Sequence, residues 1–145
     1  MTRHLLLAVA LAAVSGTVSA APAAQARHAC FHSMEPLEKD VGFCQAVRSG
    51  NTLHVSGVAA GGSMDAAVRS VYGRLGEVLQ AQGLSFANVV RETVFATDLD
   101  AFIANKAIRH EFYGANLPAA SWVQVQRLYL PSFVLEVELT AVFEE

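Results

Sequence analysis

Charge is scarce in this chain. Of 145 residues, 10 are Lys or Arg and 13 are Asp or Glu, a charged fraction of 16% and a formal net charge of −3. So thin and slightly acidic a balance offers phosphate backbones little attraction, which argues against general nucleic-acid binding. Long apolar runs are also missing: past the N-terminus, no segment approaches the roughly 20 apolar residues of a membrane-spanning helix. The sequence shows no internal repeat, low-complexity tract, Ser-His-Asp set, phosphate loop or paired zinc motif. Cysteine occurs twice. What is abundant is apolar surface, at 53% with a mean hydropathy of +0.36, which excludes a disordered chain. The length fits one domain and excludes a multidomain enzyme.

Part of that hydrophobicity belongs to an N-terminal address. Arg3 and His4 precede an unbroken apolar run from Leu5 to Val14, and Val18-Ser19-Ala20 offers small residues for cleavage. Charge, apolar core and small residues in that order predict a signal peptide over residues 1–20. Ala24-Gln25-Ala26 is a second candidate cleavage site, and an uncleaved apolar helix is the competing reading. Removing 20 residues leaves 125, with 9 basic and 13 acidic side chains, a net of −4. The expected product is soluble, free of the membrane and exported, either periplasmic or secreted. Residues 21–40 read as a flexible leader and 41–145 as the folded domain.

Cys30 and Cys44 both survive cleavage, and an exported compartment permits a disulfide between them. A second reading makes His28, Cys30 and His32 a metal site, since alternate residues of a strand share one side and soft and imidazole ligands suit zinc or copper. A third leaves them on a solvated tail. All three stay open on spacing alone.

Downstream, periodicity predicts one α/β unit. Residues 43–48 and 52–57 form a hairpin across Ser49-Gly50-Asn51. Apolar positions from Met64 to Leu79 recur at helical steps after Ser63 and stop before Gly83. Residues 89–96 form a strand, a second helix runs from Asp98 or Asp100 to about Tyr113, and strands follow over 120–126 and 133–142. The order is ββαβαββ, with both helices on one face of the sheet. On the last strand, Val134, Glu136, Glu138, Thr140 and Val142 share the other face. Two carboxylates among apolar residues there point to a surface shared between subunits.

The segment from Val41 to Val142 resembles the RidA/YjgF family of reactive-intermediate deaminases. The likeness rests on Gly42-Phe43-Cys44-Gln45-Ala46-Val47, on Gly50 to Gly57, on Val89 to Asp98, on Phe112-Tyr113-Gly114, on Pro118-Ala119-Ala120-Ser121 and on Leu135-Glu136-Val137-Glu138. It implies an α+β, chorismate-mutase-like fold, a homotrimer and a small-molecule cleft between subunits. It also implies hydrolysis of imines or enamines such as 2-aminoacrylate without a cofactor. The cleft residues so implied are Phe43, Ser56, Gly57, Ala120 and Trp122, with Glu136 as the candidate catalytic carboxylate.

The motif departs from the family at its centre. Ala120 stands where the family carries an arginine that grips the substrate carboxylate, and alanine has neither charge nor donor. Phe43 keeps the aromatic ring but lacks a hydroxyl. Trp122 shares a strand face with Ala120 and is expected to fill the vacated space. The sequence therefore predicts a small-carbonyl or imine binder with weak or absent classical deaminase activity. The alternatives are an active deaminase that uses Glu136 on an uncharged or aromatic imine, and a ribonuclease, which the acidic balance disfavours.

Overall fold

The computed structural model describes residues 28–144, so the expected signal peptide and residues 21–27 lie outside the described residues. The elements are β1 (His28–Phe31), α1 (Glu35–Val41), β2 (Ala46–Ser49), β3 (Thr52–Gly61), α2 (Met64–Ala81), β4 (Val89–Ala96), α3 (Leu99–Ala104), α4 (Lys106–Tyr113), β5 (Ala119–Gln124) and β6 (Phe133–Val142). They build one six-stranded sheet in the order β1-β2-β3-β6-β4-β5. Every neighbouring pair is antiparallel except β4 and β5.

Alternation decides which side is covered. On β3, β4 and β6, Leu53, Val55, Val94, Leu135, Val137 and Leu139 are buried against Val68, Val71, Leu75 and Leu79 of α2 and Phe102 of α3. Burying each such side chain contributes about 1.5–3 kcal/mol. The opposite side carries Glu136, Glu138 and Thr140 on β6 and Arg91 and Thr93 on β4, none of them buried. No helix of the described residues is long and apolar enough to cross a membrane.

Two expectations need correction. The second helix is broken in two at Asn105, whose side-chain Nδ2 donates to Ala101 O at 2.9 Å while its backbone N–H is shared between Ala101 O at 3.3 Å and Phe102 O at 3.0 Å. Asparagine favours such local bonds over continued helix. The flexible leader expected over 21–40 is also structured from residue 28 onward. β1 pairs with β2, and α1 starts with a proline in its first turn and stops at Gly42, whose φ of 94° suits glycine.

Candidate functional site

Where β3 meets β6, the ladder slips between Val55 and Val58, leaving Ser56 and Gly57 as an irregularity. Ser56 Oγ donates to Cys44 O at 2.7 Å, which ties the bulge to the entry of β2. A side chain at Gly57 would collide with the Glu136 carboxyl, so glycine alone lets that carboxyl lie against the backbone. Glu136 sits between Ala59 of β3 and Phe95 of β4 in register. Burial, with the neighbouring Glu138 charge, pushes its pKa above the ordinary 4.5. Such a carboxyl can hold or release a proton nearer neutrality than an exposed one.

Glu136 forms one wall of a cleft of about 730 Å³. Phe43, Ser56 and Gly57 line it too, so the structure brings together four of the residues expected from sequence. Met34, Leu37 and Val41 of the α1 segment and Tyr129 and Leu130 of the β5–β6 connection complete an apolar mouth. Several of these are strongly exposed, Tyr129 at 70% and Leu37 at 52%, which is unusual for side chains of this size. Arg74 of α2 also reaches the cleft, and its Nη1 donates to Ala59 O at 3.1 Å. Sequence reasoning missed Arg74, because its place on the helix gave no signal of a side chain crossing to the far cleft.

Ala120 and Trp122 are not in this cleft of the chain. They lie on β5, the far edge of the sheet, and Ala120 stands opposite Glu92 on the helix-covered side. Trp122 packs edge-on against Phe102 with ring centroids 5.1 Å apart. Its Nε1 donates to Glu92 Oε1 at 3.2 Å, which holds the ring against the interior of its own chain. The alternation rule placed Ala120 and Trp122 correctly on one face, but it cannot say which face the helices cover.

That interior holds a polar network. Glu92 is fully buried and accepts from Arg109 Nε at 2.6 Å, Tyr113 OH at 2.8 Å, Tyr72 OH at 3.0 Å and Trp122 Nε1. Burial and the Glu92 charge raise the pKa of both tyrosines, so they remain neutral donors. The sequence flag was available: Glu92 has the strand parity of Val94 and Ala96, a charge on an apolar face. Two further arginines lie elsewhere, Arg48 over the Phe143 ring at 3.8 Å and Arg91 beside His54 and Glu138.

Cys30 and Cys44 form a disulfide with Cα atoms 5.5 Å apart. This overturns the metal reading of His28, Cys30 and His32. Cys30, His32 and Cys44 do present ligand atoms within 4.8 Å of one another, but a disulfide sulfur is no thiolate ligand. His28 begins the exposed edge strand outside that group.

Comparisons with known proteins agree with this geometry. A family model described as "Endoribonuclease L-PSP" matches residues 34–143. A RutC family protein of Synechocystis is 40% identical over 83 residues, 56% of this chain and 62% of that relative, so the match spans less than two thirds of its length. The 2-iminobutanoate/2-iminopropanoate deaminase of Rattus norvegicus is 34% identical over 110 residues, covering 69% of this chain and 79% of that one. A crystal structure of a YjgF/YER057c/UK114 family member from Mycobacterium tuberculosis superimposes with a TM-score of 0.74 at 27% identity, covering 80% of this chain and 99% of that one. With the family model spanning most of the described domain, this chain belongs to the RidA/YjgF (L-PSP) family.

Proposed function

We propose that the chain binds a small carbonyl or imine metabolite in this cleft, as a homotrimer whose subunits meet over the cleft mouth. In this reading the β5 edge of a neighbouring subunit completes the cleft, and classical 2-imino acid deaminase activity is weak or absent because Ala120 on that edge stands at the position of the motif arginine. The observation that carries the reading is the Glu136 carboxyl, laid against Gly57 inside a largely apolar cleft. A carboxyl with a raised pKa hydrogen-bonds a carbonyl or imine as a donor when protonated, and activates water as a base when not. Apolar walls favour an uncharged substituent over a second carboxylate. The exposed apolar rim of Leu37, Val41 and Tyr129 is surface that two further copies would cover. Export by residues 1–20 to the periplasm or beyond belongs to the same reading and is checked by the N-terminal mass of the mature chain.

One observation favours a second reading. Arg74 at the cleft has donors left beyond its bond to Ala59 O, and such a fork can grip a carboxylate. With Glu136 as the water-activating group, the chain would then be an imine/enamine deaminase, the activity named for its mammalian relatives. Titration with pyruvate and with a neutral aromatic ketone separates the two, read by backbone amide shifts at Gly57 and Ala59. The first reading expects the ketone to bind at least as tightly as pyruvate. Tighter pyruvate binding that Arg74→Met abolishes would overturn it in favour of the second.

A further inference from the structure

The Cys30–Cys44 bond has a neighbour that a structural staple does not require. His32 Nε2 lies 3.2 Å from Cys30 Sγ, while its Nδ1 donates to Glu38 Oε2 at 2.6 Å. Glu38 is fully buried, and its other oxygen is held by the amides of Ser33 at 3.0 Å and Met34 at 2.7 Å. Burial alone would raise the Glu38 pKa, but the bonds from Met34, His32 and Ser33 outweigh it and hold the carboxyl below its ordinary value. A fixed carboxylate thus orients an imidazole, and the imidazole aims its second nitrogen at sulfur. This is the nucleophile–base–orienter order that activates a thiol.

We propose that Cys30 is the reactive sulfur of a thiol-exchange site, with His32 stabilising its thiolate and Glu38 positioning His32. Cys30 is exposed and Cys44 half-buried, so an external thiolate of a small thiol attacks Cys30 Sγ. The Cys30–Cys44 bond breaks, Cys44 leaves as a thiolate that takes up a proton, and a mixed disulfide forms. A second thiolate attacks the external sulfur of that mixed disulfide and releases Cys30 as a thiolate beside His32. Two thiols are oxidised to their disulfide, and the protein disulfide is reduced to two thiols by the same two electrons. In the reverse direction, the Cys30 thiolate attacks an external disulfide. The loop closed by the bond carries Met34, Leu37, Val41 and Phe43, so the exchanging bond lies behind one wall of the cleft.

Among the described residues, the elements around this sulfur carry these charged groups. On α1, Glu35 is engaged with Lys39 at 2.6 Å, leaving Glu38 as the carboxylate on His32. On β2, Cys30 stands opposite Val47, and the adjacent Arg48 is occupied by Gly50 O and the Phe143 ring. On β1 itself, His28 lies two residues away.

The test is the pH profile of Cys30 alkylation by iodoacetamide in Cys44→Ser, followed by mass spectrometry. The comparison is Cys44→Ser/His32→Asn, in which the asparagine amide can replace Nδ1 at Glu38 but offers nothing at Nε2. The expected midpoint in Cys44→Ser is at least about one pH unit below the ~8.5 of a free thiol, returning to ~8.5 in the double variant. A midpoint near 8.5 in both overturns the proposal. Should Cys44→Ser fail to fold, judged by Trp122 fluorescence, the wild type reduced with dithiothreitol gives the same profile for Cys30. There, Cys30 alkylating no faster than Cys44 below pH 8 overturns it.

Discussion

Arg109→Met removes the cation of the buried network while nearly preserving side-chain volume, and its cost follows from the geometry. The two side chains of the Arg109–Glu92 pair are 5% and 0% exposed, with Nε and Oε1 2.6 Å apart. Without the guanidinium, Glu92 keeps three neutral donors but becomes a buried charge with no partner. Breaking such a pair from one side costs about 3–5 kcal/mol. For a domain with about 5–15 kcal/mol of stability, that is a large fraction. At roughly 3–5 °C per kcal/mol for this size, the melting temperature should fall by about 9–25 °C. The assay is built in, because the chain's one tryptophan is Trp122, which donates to the same carboxylate. Its emission reports the network directly during denaturation at fixed protomer concentration. Glu92→Gln/Arg109→Met removes the orphaned charge but keeps an acceptor for the tyrosines, and should recover about 1–3 kcal/mol relative to additivity. A loss below about 1 kcal/mol in Arg109→Met, or a coupling near zero, would refute the argument that the pair compensates a buried charge.

Other outcomes follow from the cleft and the staple. Gly57→Ala should cost about 1–3 kcal/mol in a denaturant melt, because a methyl and the Glu136 carboxyl cannot share that space, and it should abolish ligand-induced amide shifts in the cleft. Glu136 has a pKa raised on folding, so its favourable contribution is full below the unfolded value and lost as pH rises through the folded value. Glu136→Gln should therefore melt higher than wild type at pH 7, with the gap closing below about pH 4. Reducing the Cys30–Cys44 bond, which spans a sequence separation of 14, should cost about 3 kcal/mol by loop-closure entropy, read as a shift in the denaturation midpoint with dithiothreitol.

How much of this was legible depended on pattern length. Strands over 89–96 and 133–142 fall where alternation put them, because eight to ten residues of period two admit one register. The long helix α2 likewise carries an unmistakable apolar stripe. β1 and α1 escaped because four and seven residues are too short for periodicity, although Pro36 and Gly42 bracket the helix as start and stop signals. Glu38 falls in the segment the sequence reads as a flexible leader, and only folding reveals that Ser33, Met34 and His32 converge on it. In the cleft, Phe43, Ser56, Gly57 and Glu136 could be read from local motifs, whereas Arg74, Tyr129 and Leu130 arrive from elements distant in sequence. The strand pattern puts Ala120 and Trp122 on one face but cannot name the covered one, so the Trp122 contact with Glu92 is visible only in the fold.

The central claim is an inter-subunit cleft that binds a small carbonyl or imine, in which a neighbouring subunit's Ala120 replaces the motif arginine and leaves little classical turnover. Its most direct test is ammonia release from 2-iminopropanoate generated in situ, measured beside the rat 2-iminobutanoate/2-iminopropanoate deaminase under one condition. Loss of a buried charge-assisted carboxylate bond of about 2–5 kcal/mol corresponds to at least a ~30-fold deficit. The account predicts a kcat/KM lower than the rat enzyme's by that factor or more. An equal kcat/KM would contradict it.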